Sequence, residues 1–335
     1  MVVAQKNQSS LTEYSRCEHR SRLQAQKQNE DYRVNKDDDS IAEKVDRALW
    51  KDSVLRSTDY GEIDVDVVGR TVYLSGYVNS RSNQRRAITA AQMIPGVLEV
   101  KSYLFSDDNL IRAVAGMLGK IEHSYGVKFF TGAQNGVVGL NGEVGSETVR
   151  NLAEKYAASV PGVRGVINSV RAPGVDVKAE DQRFLQPIIG AKIYFRDGQF
   201  GIVQKVIINP SNRRVLAMIV QEQDSSFIEY GKDQSPLRLM VIPMSSIRYL
   251  TKSAGFLHID SKEAALIRDF EISNFITPEG SWTPPYPYCP DEVFFPIESN
   301  EIKDDDEHGL LVRRSLSTNL GQIMATLNEP DSKVI

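Results

Sequence analysis

The stretch Leu74-Ser75-Gly76-Tyr77-Val78-Asn79-Ser80 returns, 66 positions later, as Leu140-Asn141-Gly142-Glu143-Val144-Gly145-Ser146. The same offset carries Val72 onto Val138, Ala87 onto Ala153, Ala91 onto Ala157, Pro95-Gly96-Val97 onto Pro161-Gly162-Val163 and Val100 onto Val166, without a gap. Agreement at so many spaced positions makes two tandem copies of one unit the organising fact of the first half of the chain.

Each copy reads the same way. Ile41, Ala42, Val45, Ala48 and Leu49 form an apolar stripe at helical spacing. Ile63, Val65 and Val67 alternate with Asp64 and Asp66, as in a half-buried strand, and Gly69-Arg70 turns the chain into a second strand over 71–78. In the second copy that turn is Asn135-Gly136, whose residues both tolerate positive φ. Ser80 and Ser146 stand where a hydroxyl can cap a second helix. The helix must stop before Pro95 or Pro161, and Gly96 or Gly162 then lets the chain reverse into a last strand. The order is helix, strand, strand, helix, strand, with one sheet face covered by two helices.

This order resembles the BON domain, a family named for bacterial osmotic-stress and nodulation proteins. The Val-x-Leu-x-Gly-x-Val strand, the helix opened by serine and the Pro-Gly-Val-x-x-Val ending carry the resemblance. It covers about residues 40–106 and 107–172 and implies non-catalytic, envelope-associated modules that bind phospholipid or other polymer surfaces. Gly76 and Gly142, inside strands, are expected to permit a bulge or the close approach of a packed helix. Arg81, Arg85 and Arg86 form a cationic helix face in the first copy only, because their counterparts are Glu147, Asn151 and Leu152. Such a face can meet an anionic headgroup surface at about 1 kcal/mol per basic residue.

Residues 173–184 read as a linker. From Leu185 the pattern turns to short strands: Ile193-Tyr194-Phe195, an Asp197-Gly198 turn, Phe200 to Ile208, Asn209-Pro210 as a turn, Val215 to Val220 and Leu239 to Ile242. Gly190, Asp197-Gly198, Gly201-x-Val203, Asn209-Pro210, the Val215–Val220 strand and Val241-Ile242-Pro243 with Ile247 resemble the PRC-barrel domain over about residues 185–260, within a domain expected over 185–270. That resemblance implies a docking or assembly module. Residues 221–236 read as an enlarged loop, and Lys262–Phe270 as a short helix turning Ala264, Ala265, Leu266 and Phe270 towards the barrel. The fold class expected is therefore α+β: two αββαβ modules and a small all-β barrel between a mobile segment over 1–39 and an extended proline- and aromatic-rich stretch with an acidic tail over 271–335.

Composition narrows the function. Lys+Arg 40 against Asp+Glu 44 leaves a net charge of −4, which disfavours nucleic acid held by bulk charge. No apolar run is long enough to span a membrane and no secretory signal is visible, so a cytoplasmic setting, peripheral at the inner membrane face, is expected. Cys17 and Cys289 are then expected as free thiols. Asp37-Asp38-Asp39 and Asp304-Asp305-Asp306 read as solvated acid and His123 as a helix-end residue. No catalytic, cofactor or metal constellation stands out. The expectation is a non-enzymatic adaptor that engages a phospholipid or polymer surface and docks a protein partner through the barrel. The alternatives are an accessory to RNA or ribosome assembly and a homo-oligomeric scaffold.

Overall fold

The computed structural model describes residues 36–177, 182–223, 238–251, 253–267, 269–280 and 282–297. They form two units, one of residues 36–184 with Pro285–Pro287, the other of Leu185–Pro284 with 288–297.

In the first unit, α1 (Lys36–Lys51), a short α2 (Ser53–Thr58), β1 (Ile63–Val68), β2 (Thr71–Val78), α3 (Arg81–Gln92) and β3 (Glu99–Ser106) make the first copy. The second comprises α4 (Asp107–Tyr125), β4 (Phe129–Gln134), β5 (Val137–Glu143), α5 (Glu147–Ala158) and β6 (Gly165–Arg171). Each has a three-stranded sheet in sequence order, antiparallel then parallel. The registers are the same under the 66-residue shift: Val65 faces Leu74 as Thr131 faces Leu140, and Leu74 faces Ser102 as Leu140 faces Asn168.

Strand periodicity sends Val72, Leu74 and Leu104 inward, against Ile41, Val45 and Leu49 of α1 and Ala87 and Ala91 of α3. In the second copy Val138, Leu140, Val166 and Val170 meet Leu110, Val114, Leu118 and Ile121 of α4 and Val149, Ala153 and Ala157 of α5. Leu74 and Leu140 are both fully buried. A buried leucine contributes about 1.5–3 kcal/mol, and one small core of this kind carries each module. The alanines let the second helix lie close on its sheet. Ser80 Oγ accepts from Asn83 N (3.1 Å) and Ser146 Oγ from Val149 N (3.4 Å), which starts both helices where the sequence places them.

The second unit is a branched sheet. Strands β7 (Lys192–Tyr194), β8 (Phe200–Ile208), β9 (Val215–Glu222), β10 (Leu239–Pro243), β11 (Ile247–Leu250) and β12 (Ala254–Leu257) run in the order β10-β9-β8-β7-β12-β11. A short α6 (Ser261–Ala265) follows, then β13 (Phe275–Ile276) and β14 (Val293–Pro296). Among the described residues β10 and β11 are the two ends of an open path, so barrel closure is not shown. One face buries Ile193, Val203, Met218, Val220, Met240 and Ile242; the other buries Ile207, Ala217, Ile219 and Val241 beneath Phe294.

Several expectations need correction. Helix α1 starts at Lys36, inside the segment read as mobile, because Asp37–Asp39 fill its first turn, where carboxylates suit the helix dipole. The proline-rich stretch supplies β13 and β14, and β14 pairs in parallel with β8. Pro290 precedes that strand and Pro296 is its last residue, so neither proline falls at the Val293–Phe294 positions that pair with β8. Leu266 lies outside α6 and is 88% exposed; Ala264 is the residue of that turn that is buried. Cys289 is buried and disulfide-bonded, not a free thiol. The free-thiol expectation followed from an assumed reducing compartment, which composition alone does not establish. Cys17, the rest of the amino-terminal segment, most of the enlarged loop over 221–236 and the acidic tail lie outside the described residues.

Candidate functional site

Helix α3 presents the three arginines unequally. Arg81, Arg85 and Arg86 are all exposed. Arg86, however, reaches back to Asp52, the N-cap of α2, with Nη2 2.8 Å from Oδ2 and Nε 3.1 Å from the same oxygen. Burial raises the Asp52 carboxyl, but hydrogen bonds from Leu55 N and Arg86 outweigh it and hold the group below its ordinary value. Asp52 is therefore ionised near neutrality, and Arg86 contributes less net positive charge to a ligand than the sequence implies. Arg81 and Arg85, one helical turn apart, form the cationic face that remains.

The strand glycines have a backbone reason. A Cβ on Gly76 would stand 2.0 Å from the carbonyl oxygen of Glu62, and one on Gly142 2.6 Å from that of Lys128, at φ 110° and 148°. What approaches closely is the neighbouring strand's start rather than a packed helix.

A pair of carboxylates escaped the sequence reading. Asp38 accepts from Gly69 N and Arg70 N, and Asp107 from Asn135 N and Gly136 N, all at 2.8 Å. In each copy an aspartate in the first turn of the opening helix clamps both amides of the β-hairpin turn. The spacing is 31 residues in one and 28 in the other, so the 66-residue shift does not align them. The visible signal was acid at the start of both helices: Asp37-Asp38-Asp39 and Asp107-Asp108. Burial pushes the Asp107 carboxyl above its ordinary value against the pull of the two amides, and the charges of Asp59 and Asp108 add to the rise.

The two copies meet through aromatic rings on the glycine loops. Tyr77 from β2 is 1% exposed, and its hydroxyl donates to Gly162 O at 3.0 Å. Its ring fills the place a Cβ on Gly136 would take, 2.1 Å away, and the Phe105 ring does the same at Gly162, 2.3 Å away. Arg164 closes the contact: it pairs with Glu62 at 3.2 Å and lies 5.7 Å from the Tyr77 ring centroid. Tyr286 stands edge-on to Tyr77, centroids 5.5 Å apart. Gly162 thus serves packing between the copies, whereas a Cβ on Gly96 would only touch Ile41 at 3.4 Å.

In the second unit Gly198 holds φ 89° in the turn after β7, and Asp197 accepts from Ser261 N (3.1 Å) and the Ser261 hydroxyl, tying that turn to α6. These bonds hold the Asp197 carboxyl below its ordinary value. A Cβ on Gly201 would meet Val220 Cγ1 at 2.4 Å and Gln221 O at 2.7 Å, so this glycine admits the neighbouring strand. Phe200, Tyr194, Phe256 and Tyr249 form a row of ring contacts across four strands, with centroids 5.4–6.4 Å apart. Among the described residues no group of three or more His, Cys, Asp or Glu side chains could hold a metal ion, and no helix is long and apolar enough to cross a membrane. His123 sits in the last turn of α4.

The BON domain profile matches residues 37–104 and 132–174, one segment in each copy. Osmotically-inducible protein Y of Escherichia coli (strain K12) is 30% identical over 148 residues, covering 40% of this chain and 72% of that protein. Two solved structures of CdsD, a structural protein of the type III secretion system of Chlamydia trachomatis, align at 13% and 11% identity, each with a TM-score of 0.33. They cover 40% and 42% of this chain and 62% and 66% of theirs, so the chain spans less than two thirds of either. Repeat, register and sequence kinship agree, and the chain belongs to the BON-domain family that resembles osmotically-inducible protein Y.

Proposed function

We propose that the chain is a non-enzymatic binding protein of the osmotic-stress response, whose BON modules engage an anionic phospholipid or similar polymer surface. The observation that carries this reading is the exposed Arg81–Arg85 pair on α3, set beside an Arg86 already neutralised by Asp52. Kinship to osmotically-inducible protein Y supports the stress setting. The strand-rich unit is the docking module in this reading, the role implied by its PRC-barrel resemblance. The disulfide at Cys289 favours an oxidising compartment over the cytoplasm first expected, because disulfides persist where thiols are not kept reduced.

Sedimentation with phosphatidylglycerol-containing vesicles tests the patch. At about 1 kcal/mol per basic residue near an anionic surface, Arg81→Glu with Arg85→Glu should weaken binding by at least tenfold. Arg86→Glu should weaken it less, and raised salt should weaken all of them. Equal sedimentation of wild type and the double variant at low salt would eliminate the patch.

A further inference from the structure

We propose that the contact between the two copies is a head-to-tail interface used once and closed at both outward ends, so that no further copy of the chain adds through these surfaces. The interface is heterologous: the edge of one copy formed by the carboxy-terminal ends of β2 and β3 meets a glycine seat on the next. Such a contact propagates into rings or filaments unless something stops it. Apart from Tyr286, which lies outside the repeat, each residue of the contact has a repeat equivalent, so the unused edge and the unused seat can both be inspected.

The unused edge lies on the second copy. Tyr77 and Phe105 are register partners on β2 and β3, and their equivalents, Glu143 and Arg171, are register partners on β5 and β6. In place of two rings stands an ion pair at 3.4 Å whose side chains are 78% and 81% exposed. Placing that pair in an apolar seat would strip both charges of water.

The unused seat lies on the first copy. Gly136, which leaves room for the Tyr77 ring, has Arg70 as its equivalent, at φ 66°. Its Cβ occupies the place where a docking ring would lie. Gly162 O, which accepts the Tyr77 hydroxyl, has Gly96 O as its equivalent, and Arg70 Nε donates to that oxygen at 2.7 Å. One arginine therefore fills the ring's place and takes its hydrogen bond. Arg164, which pairs with Glu62 across the junction, is replaced at the free seat by Leu98, 70% exposed. Edge and seat are closed by different residues and by different physics, steric at one end and desolvation at the other.

The test is made in the full chain with Arg70→Gly, Glu143→Tyr and Arg171→Phe together, reopening both ends. By mass action the sedimentation-velocity mass of this variant should climb to multiples of the chain over a roughly 100-fold concentration range, against no such rise in wild type. Restoring Arg70 alone should reverse most of the gain. A triple variant with wild-type circular dichroism and wild-type mass throughout would overturn the proposal. So would a wild-type assembly that Glu143→Lys dissolves. Should the triple variant not fold, Tyr77→Glu with Phe105→Arg moves the closing pair into the junction. The copies should then melt in separate calorimetric transitions, and an unchanged thermogram would count against the proposal.

Discussion

Replacing Gly136 by alanine probes the contact between the copies most directly. The added methyl would stand 2.1 Å from Tyr77 Cε1, 2.5 Å from Cζ and 2.7 Å from Cδ1. The ring cannot move aside cheaply: it is 1% exposed, its hydroxyl is held by Gly162 O, and Phe105 and Tyr286 pack on it. Overpacking of this kind costs about 1–3 kcal/mol. Gly136 also sits at φ 78°, where an L side chain adds about 1–2 kcal/mol of backbone strain. Gly136→Ala should therefore destabilise the chain by about 2–5 kcal/mol. Tyr77→Ala alone removes a buried ring and should cost about 3–5 kcal/mol. Combined, the two should fall short of their sum by about 1–3 kcal/mol, because the clash disappears with the ring while the backbone strain stays. Urea unfolding of the four proteins of this cycle, followed by circular dichroism, measures the coupling. Additivity to within about 0.5 kcal/mol would refute the placement of Tyr77 on Gly136.

Asp107→Asn should cost about 1–3 kcal/mol, because a buried acceptor that holds two turn amides is weakened. Since Asp107 is raised in the folded chain, its proton favours the fold below the unfolded value of 3.8, and that contribution is lost as pH rises through the folded value. The variant should flatten this part of the stability–pH curve, and an unchanged slope would remove Asp107 as its source. Peptide mapping after alkylation without reductant should leave Cys289 unmodified, and a fully alkylated Cys289 peptide would contradict the disulfide. Cys289→Ser should lower stability by about 2–4 kcal/mol, seen in the same urea titration.

The two modules were legible at the level of elements because their signals are local. Alternation in 71–78, the serine caps and the Pro-Gly stops each act over a few residues, and β2 occupies the predicted span. The aspartate clamps were not legible, since each spans about thirty residues and the two differ in spacing. The strand-rich unit was read strand by strand up to Pro243, but the recruitment of β14 was not, because pairing partners far apart in sequence leave no periodic trace. Of the candidate site, the arginines were found by charge pattern; that Asp52 claims Arg86 required knowing where α2 turns.

What the amino-acid order determined unaided was that one αββαβ plan occurs twice, since an offset comparison needs no coordinates. What only tertiary structure decided was the meaning of the places where the copies differ. Tyr77 against Glu143, Phe105 against Arg171 and Gly136 against Arg70 look like ordinary surface drift in the sequence. They become a joint and its two closed ends only when packing sets rings on glycines, because steric fit and desolvation depend on neighbours that the chain brings together from far apart.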